Sequence, residues 1–281
     1  MTITLAAASL FCRAPAAFAQ AETPDLSAAK LAEEFSDPLT TLPQIFVQDA
    51  YTPVNYGTAA LTNRLIARVI VPRIPKYSLL PFVQLIRPSV SFVKVPTGKG
   101  SATRTAFGDT QLFDLAVIPW PERESGLLMG VGLVFVFPTA TDKAAGQGAW
   151  QVGPAFGAIY KGIPGVLLGC LIQNPISFAY TSDDHRPINT LLFQPILQKH
   201  LWRGFYVKSA DATWTIGWLK GTARTLPLSL GLGYVMLRQG SPPLNFFVSG
   251  EWTAYRQNAP IAPHITVRFG VNIAFPQLRP W

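Results

Sequence analysis

The sequence predicts an all-β protein: a closed antiparallel transmembrane β-barrel of about 12 strands with a short N-terminal helix. Three observations predict it. Apolar and polar residues alternate with a period of two in segment after segment, the links between segments are short and long by turns, and no stretch is long and apolar enough for a spanning helix. Composition agrees, since 49% of the 281 residues are hydrophobic and only 14% charged, at a mean hydropathy of +0.25. Such a chain is too apolar to stay disordered.

Residues 1–19 read as an export signal, with the apolar run "ITLAAASLF" and Ala17 and Ala19 in an A-x-A cleavage pattern, although a basic start is missing and Arg13 follows the run. Cys12 leaves with that segment. Cys170 then stands alone, which excludes an internal disulfide, and three scattered histidines make no metal-ligand spacing. No cofactor is expected. Residues 20–41 form the next unit, in which Leu26, Ala29, Leu31, Ala32 and Phe35 give an amphipathic helix stopped before Pro38. Three placements are open to it: a plug in the lumen, a cover at the periplasmic mouth, or a disordered leader.

The barrel is assigned to residues 42–275 and a tail to 276–281. The closing segment "HITVRFGVNIAF" (264–275) shows the pattern at its cleanest, with Ile265, Val267, Phe269, Val271, Ile273 and Phe275 on one face and His264, Thr266, Arg268, Gly270 and Asn272 on the other. At about 3.3 Å per residue it spans roughly 35 Å, enough for a tilted strand to cross a bilayer. Segments 61–71, 127–137 and 244–256 alternate similarly. Less clean candidates lie near 77–95, 107–118, 150–160, 166–179, 188–200, 205–215 and 227–238, and "LPQIFVQ" (42–48) supplies the twelfth strand. The most apolar stretch, "GLLMGVGLVFVF" (126–137), is too short for a helical span and ends at Pro138.

Short links at 72–76, 161–165, 202–204 and 239–243 alternate with longer polar ones at 96–106, 138–149, 181–187 and 216–226, the habit of outer-membrane barrels; 119–125 and 257–263 are similar in length. Only closure gives every backbone N–H and C=O a partner in hydrocarbon, so the last strand must pair with the first. Trp120, Trp150, Trp202, Trp214, Trp252, Tyr160, Tyr180 and Tyr234 lie mostly near strand ends, where interfacial aromatics belong.

The segments "FGDTQ" (107–111), "VFVFPTATD" (134–142), "GQGAWQVGP" (146–154), "LLFQPILQ" (191–198) and the closing "FP" (275–276) resemble the MetA-pathway of phenol degradation family, outer-membrane β-barrel transporters often mislabelled as neuromedin U. The resemblance covers the chain from about residue 38 onward, and its most specific part is the PTATD…GxGxW…GP run. It implies an outer-membrane barrel in a Gram-negative bacterium, with a part in the passage of aromatic or other apolar compounds. The sequence departs from that pattern in three ways. It is more hydrophobic, its signal is untidy, and "QLRPW" runs past the last strand, so Phe275 and Trp281 compete as the terminal aromatic for the barrel-assembly machinery.

The inner face is expected to carry Arg64, Arg68, Gln194, Gln198, Glu251, His264, Arg268 and Asn272, with Leu192, Val134 and glycines 130, 132, 231, 233 and 270 leaving room between them. These eight polar residues are the candidate solute path through a narrow lumen of basic character, suited to small apolar or weakly acidic solutes. The alternative for Arg64 or Arg68 is an ion pair with Glu251 or another carboxylate inside the wall that merely fixes the barrel. The formal charge of +8 is dispersed rather than gathered in a stripe, so nucleic acid is not an expected partner. Lys99, Arg104, Lys143, Lys220 and Arg224 are placed in loops that face lipopolysaccharide. Ser182, Asp183, Asp184 and His185 are adjacent in one loop, a geometry that does not make a triad, and "PTGKGSAT" lacks phosphate-loop spacing. An enzyme is therefore not expected. The functional expectation is passive passage of small hydrophobic or aromatic solutes through the outer membrane, with a sealed structural or ligand-binding barrel as the alternative.

Overall fold

The computed structural model of the protein describes residues 27–73, 83–98, 100–118, 126–181, 183, 186–209 and 212–278. The export signal, residues 20–26, Lys99, Trp120, Ser182, Asp184, His185 and Trp281 lie outside them. A short helix, α1 (Ala28–Ser36), precedes β1 (Gln44–Tyr56), β2 (Thr62–Arg73), β3 (Val83–Pro96), β4 (Thr103–Phe107), β5 (Thr110–Ile118), β6 (Leu127–Phe137), β7 (Ala149–Ile163) and β8 (Val166–Gln173). There follow β9 (Ile176–Tyr180), β10 (Thr190–Trp202), β11 (Phe205–Lys208), β12 (Trp214–Gly217), β13 (Arg224–Met236), β14 (Leu244–Gln257) and β15 (Ala262–Ala274).

All pairings are antiparallel between chain neighbours, and β1 pairs with β15 from Gln44–Ala274 to Tyr56–Ala262, so the sheet closes. β4 and β5 both lie on β3, β8 and β9 both on β7, and β11 and β12 both between β10 and β13. Each couple is one wall strand interrupted once, so the fifteen segments make twelve strands. The interruption between β11 and β12 faces Pro195 on β10 and Pro227 on β13. A proline has no N–H to give to a ladder, so the flanking strands are least demanding of a partner where the wall breaks.

Turn chemistry separates the two ends of the barrel. At one end Pro164–Gly165 and Arg203–Gly204 make two-residue turns; positive φ at both Arg203 (46°) and Gly204 (90°) is the type I′ geometry that matches strand twist. The start of β1 and the end of β15 lie here too, since Phe275 N–H donates to Pro43 C=O at 2.9 Å. Bacterial barrels keep short turns and both termini in the periplasm, and this is called the periplasmic end below. The opposite end carries the longer loops, although 57–61 and 258–261 are short there because β1, β14 and β15 run further outward than the sequence pattern indicates.

The outward loop 138–148 is held by one carboxylate. Asp109 accepts from the N–H of Ala140 at 3.2 Å and of Gln147 at 2.7 Å, and Gly146 lies so close that a Cβ there would meet the Asp109 carboxylate. Thr139 and Thr141 bond back to Thr110 and Phe107. Three of the quoted motifs, FGDTQ, PTATD and GQG, thus fold onto one another as a loop clamp.

Alternation resolves into two faces as expected. In β15 Ile265, Val267, Phe269, Val271 and Ile273 point outward, and Thr266, Arg268, Gly270 and Asn272 inward. Trp150, Trp202, Trp252, Tyr160 and Tyr234 are exposed on the outer face, with Trp202, Phe205 and Tyr234 in ring contact near the periplasmic end. Two carboxylates also point outward: Asp49, and Asp114, whose two oxygens accept from Gln84 Nε2 at 2.7 and 2.9 Å.

The inner glycines leave room, but side chains occupy it. A Cβ on Gly233 would sit 2.1 Å from the Tyr206 ring, and one on Gly270 2.1 Å from the Phe247 ring. Tyr206, fully buried, donates to Asn245 Oδ1 at 2.8 Å; Asn245 donates to Asn272 at 3.2 Å and Asn272 to Gln44 at 2.8 Å. That chain of amides crosses the β15–β1 seam inside the barrel and ties its first and last strands together.

Candidate functional site

The N-terminal segment enters the lumen and stops it at the periplasmic end. Ser27 caps α1 by accepting from Lys30 N–H, and Leu31, Ala32 and Phe35 recur at helical spacing on one buried face. With Leu42 they pack on Tyr206, Val235 and Ala274 of the wall. Leu39, fully buried, sits over Gly130 and Gly157, where added Cβ atoms would approach its methyl groups to 2.7 and 2.8 Å. It joins a core with Ile70, Leu85, Phe113, Leu115, Val134, Ile159, Leu167, Leu171 and Ile196. Val134, expected on the inner face, is there and filled against.

Charge fixes the same plug. Asp37 has no exposed side-chain surface, and its Oδ2 lies 2.6 Å from Lys161 Nζ, at the inner side of β7; Glu34 Oε1 is 3.6 Å from the same nitrogen. Leu39 N–H donates to Asp37 Oδ1 at 2.7 Å, and Thr40 donates to Glu34. Burial pushes the Asp37 carboxyl up from its ordinary value, with Lys161 opposing, and burial likewise raises Glu33.

Outward of the plug the lumen opens into a cavity of about 580 Å³. Arg64, Arg68, Gln194, Glu251 and Arg268 of the expected path line it, as does Leu192, which was expected on the inner face; Arg87, Lys94 and Gln48 also line it and were not expected. Among these described lining residues five are cationic and one, Glu251, is a carboxylate. Arg268 Nη2 donates to Glu251 Oε2 at 2.8 Å, with the two side chains 16% and 7% exposed, so Glu251 is held in an internal ion pair by Arg268, where Arg64 or Arg68 was expected. Arg64 takes no part in it. Arg68 lies over the Phe46 ring at 4.9 Å and Arg87 over Phe113 at 4.4 Å, while Lys208, deeper in, lies 3.7 Å over Phe247. Ring faces attract cations without neutralising them, and they hold these three side chains flat against the wall.

Three expected residues stand elsewhere. Gln198 faces inward but is buried, both amide atoms without hydrogen-bond partners among the described residues. Asn272 is spent on the seam and lines only a void of about 50 Å³ between plug and wall, together with Asp37, Arg68, Arg87, Gln194 and Lys208. His264 lies against Tyr56 near the outer rim, with ring centroids 4.2 Å apart and the rings tilted by 33°. Arg68, Arg87 and Gln194 line both spaces and so form the floor of the cavity. Arg87 was missed because the run "VQLIRPS" (83–89) on β3 is apolar on both faces, with Leu85 inward and Ile86 outward, which hides the inner stripe. Lys208 lies in a strand segment of four residues, too short for a period to show.

A solved structure shares the architecture. The chain is similar to the COG4313 outer membrane channel from Pseudomonas putida F1, at 12% identity and a TM-score of 0.57, over 85% of this chain and 98% of that one. It is also similar to the KdgM porin, at 9% identity and a TM-score of 0.48, over 83% and 99%. No family model and no curated protein matches the sequence, so the MetA-pathway resemblance rests on the quoted residues. The fold is that of an outer-membrane β-barrel.

Proposed function

We propose that this protein is an outer-membrane channel for the passive passage of small hydrophobic or aromatic solutes in a Gram-negative bacterium. The observation that carries the reading is the cavity of about 580 Å³ above a non-covalently seated plug. A barrel that had only to hold itself together would gain by filling that space with side chains, as it does below the floor. The cavity wall is mixed, with Ile66, Val93, Leu192 and Pro227 among its arginines and threonines, which suits an apolar body with a polar end. The quoted family motifs and the solved channels support the same class.

A second reading, a sealed structural or ligand-binding barrel, is favoured by the closed periplasmic half. Single-channel conductance and liposome uptake of a labelled aromatic separate the two, measured on the full chain and on a variant lacking residues 27–36. A channel gives current and uptake, larger in the deletion; a sealed barrel gives neither in either protein. Lipid against the outer isoleucines and phenylalanines, lipopolysaccharide against the exposed Arg104, Lys143, Lys220 and Arg224, and the barrel-assembly machinery are the partners this reading requires. Membrane fractionation with heat-modifiable gel migration tests the location.

A further inference from the structure

The register of the first and last strands sets two arginines side by side with a gap between them. Ala50 of β1 pairs with Arg64 of β2 on one side and with Arg268 of β15 on the other. Directly paired residues share a face, so all three point into the lumen at one level, and with strands about 4.8 Å apart the two arginine backbones stand roughly 10 Å from each other. Ala50 leaves the space between them open. Arg268 is committed to Glu251, as described above; Arg64 is exposed to the cavity and has no carboxylate partner among the described residues.

One pair of residues further out, Thr52 stands opposite Thr62 on β2, and its hydroxyl lies 2.7 Å from that of Thr266 on β15. Both of these threonines are nine-tenths buried or more. When one hydroxyl donates to the other, the second keeps its own proton for a further acceptor. Immediately beside Arg64 the wall turns apolar, with Ile66 two residues along the same face and Val93 paired across on β3.

We propose that Arg64, with Arg268 and the Thr52–Thr266 hydroxyl pair, forms a carboxylate-binding station, and that the solutes taken are monocarboxylates with an apolar or aromatic body. The planar guanidinium offers two parallel donors to a carboxylate, while Ile66 and Val93 receive the body. The Glu251 carboxylate fixes Arg268 and leaves the level with a net positive charge. This inference rests on the channel reading and narrows its substrate class from apolar solutes to their acids.

Isothermal titration of the purified full-length barrel in detergent tests it, with benzoate and neutral benzamide as probes. Benzoate is expected to bind at least tenfold more tightly than benzamide, and more weakly as salt rises. Arg64→Gln is expected to lower benzoate affinity at least tenfold and leave benzamide unchanged, with Arg64→Lys in between because it keeps charge but loses the fork. Heat-modifiable migration of each variant shows that it has folded. Equal affinities for the two probes, or undiminished benzoate binding by folded Arg64→Gln, overturns the station. Benzoate binding in a protein that passes neither ions nor solute would instead leave the station standing and refute the channel.

Discussion

Removing the Lys161 ammonium should unseat the plug. Lys161 Nζ lies 2.6 Å from Asp37 Oδ2 and 3.6 Å from Glu34 Oε1, and the side-chain exposures of 9%, 0% and 14% leave little water to screen them. Lys161→Met keeps the length and apolar stem of the side chain but strands Asp37 as a buried charge without its cation. Breaking a buried pair in this way costs about 3–5 kcal/mol. At about 1.4 kcal/mol per decade, the lower figure shifts the balance between seated and released plug about a hundredfold. Open probability in planar bilayers reads that balance directly. Asp37→Asn should do less, since its amide oxygen still accepts from Leu39 N–H and Glu34 still faces the lysine. Combining the two changes should restore much of the closure, because removing both members of a buried pair is often close to neutral. If Lys161→Met gates like the unaltered protein, or if the double variant is looser than the single one, the ion cluster is not what holds the segment.

Acidification should tighten closure. Burial raises Asp37 and Glu33, neither in a spanning strand, so the seated plug binds protons more tightly than a released one; seating is strongest below the ordinary carboxylate range and weakens as pH rises through the raised values. Open probability measured at pH 5 should therefore fall below that at pH 7.5, and the Lys161→Met defect should shrink at the lower pH. Leu39→Ala empties the contact over Gly130 and Gly157, and should cost the seated state about 2–5 kcal/mol, seen as raised conductance. Gly233→Ala places a methyl against the Tyr206 ring and should destabilise the barrel by about 1–3 kcal/mol, read from the temperature of heat-modifiable migration. Asp109→Ala should leave that temperature nearly unchanged while exposing 138–148 to protease, because the loss of two acceptor contacts is confined to the outer loop.

The strands were legible where the two faces differ in polarity. In β2, β14 and β15 the inner stripe carries arginine, asparagine, serine, threonine and glutamate, and the alternation is plain from the sequence. In β3, β5 and β8 the inward residues Leu85, Phe113, Leu115, Val117, Leu167 and Leu171 are as apolar as the outward ones, because they pack on Leu39 and its neighbours rather than on water. These untidy segments face the plug, as does β6, whose inward glycines kept its alternation visible, and the same layer accounts for a hydrophobicity above that expected of such barrels. Five of the eight expected path residues reach the cavity, since a period of two assigns a face correctly. Depth along the strand is what it does not assign, and so Gln198 and Asn272 fall below the floor and His264 at the rim. The Asp37–Lys161 pair joins positions 124 residues apart in sequence, a separation that no local pattern reports.

The β1–β15 ladder joins residue 44 to residue 274, so no ring exists until β15 has been made. A chain truncated anywhere before β15 presents two raw edges to its surroundings and has no smaller ring to fall back on. The plug faces no such deadline. It enters through the mouth where β1 begins and β15 ends, so it can slide home after the ring has shut, with nothing to be threaded and nothing trapped.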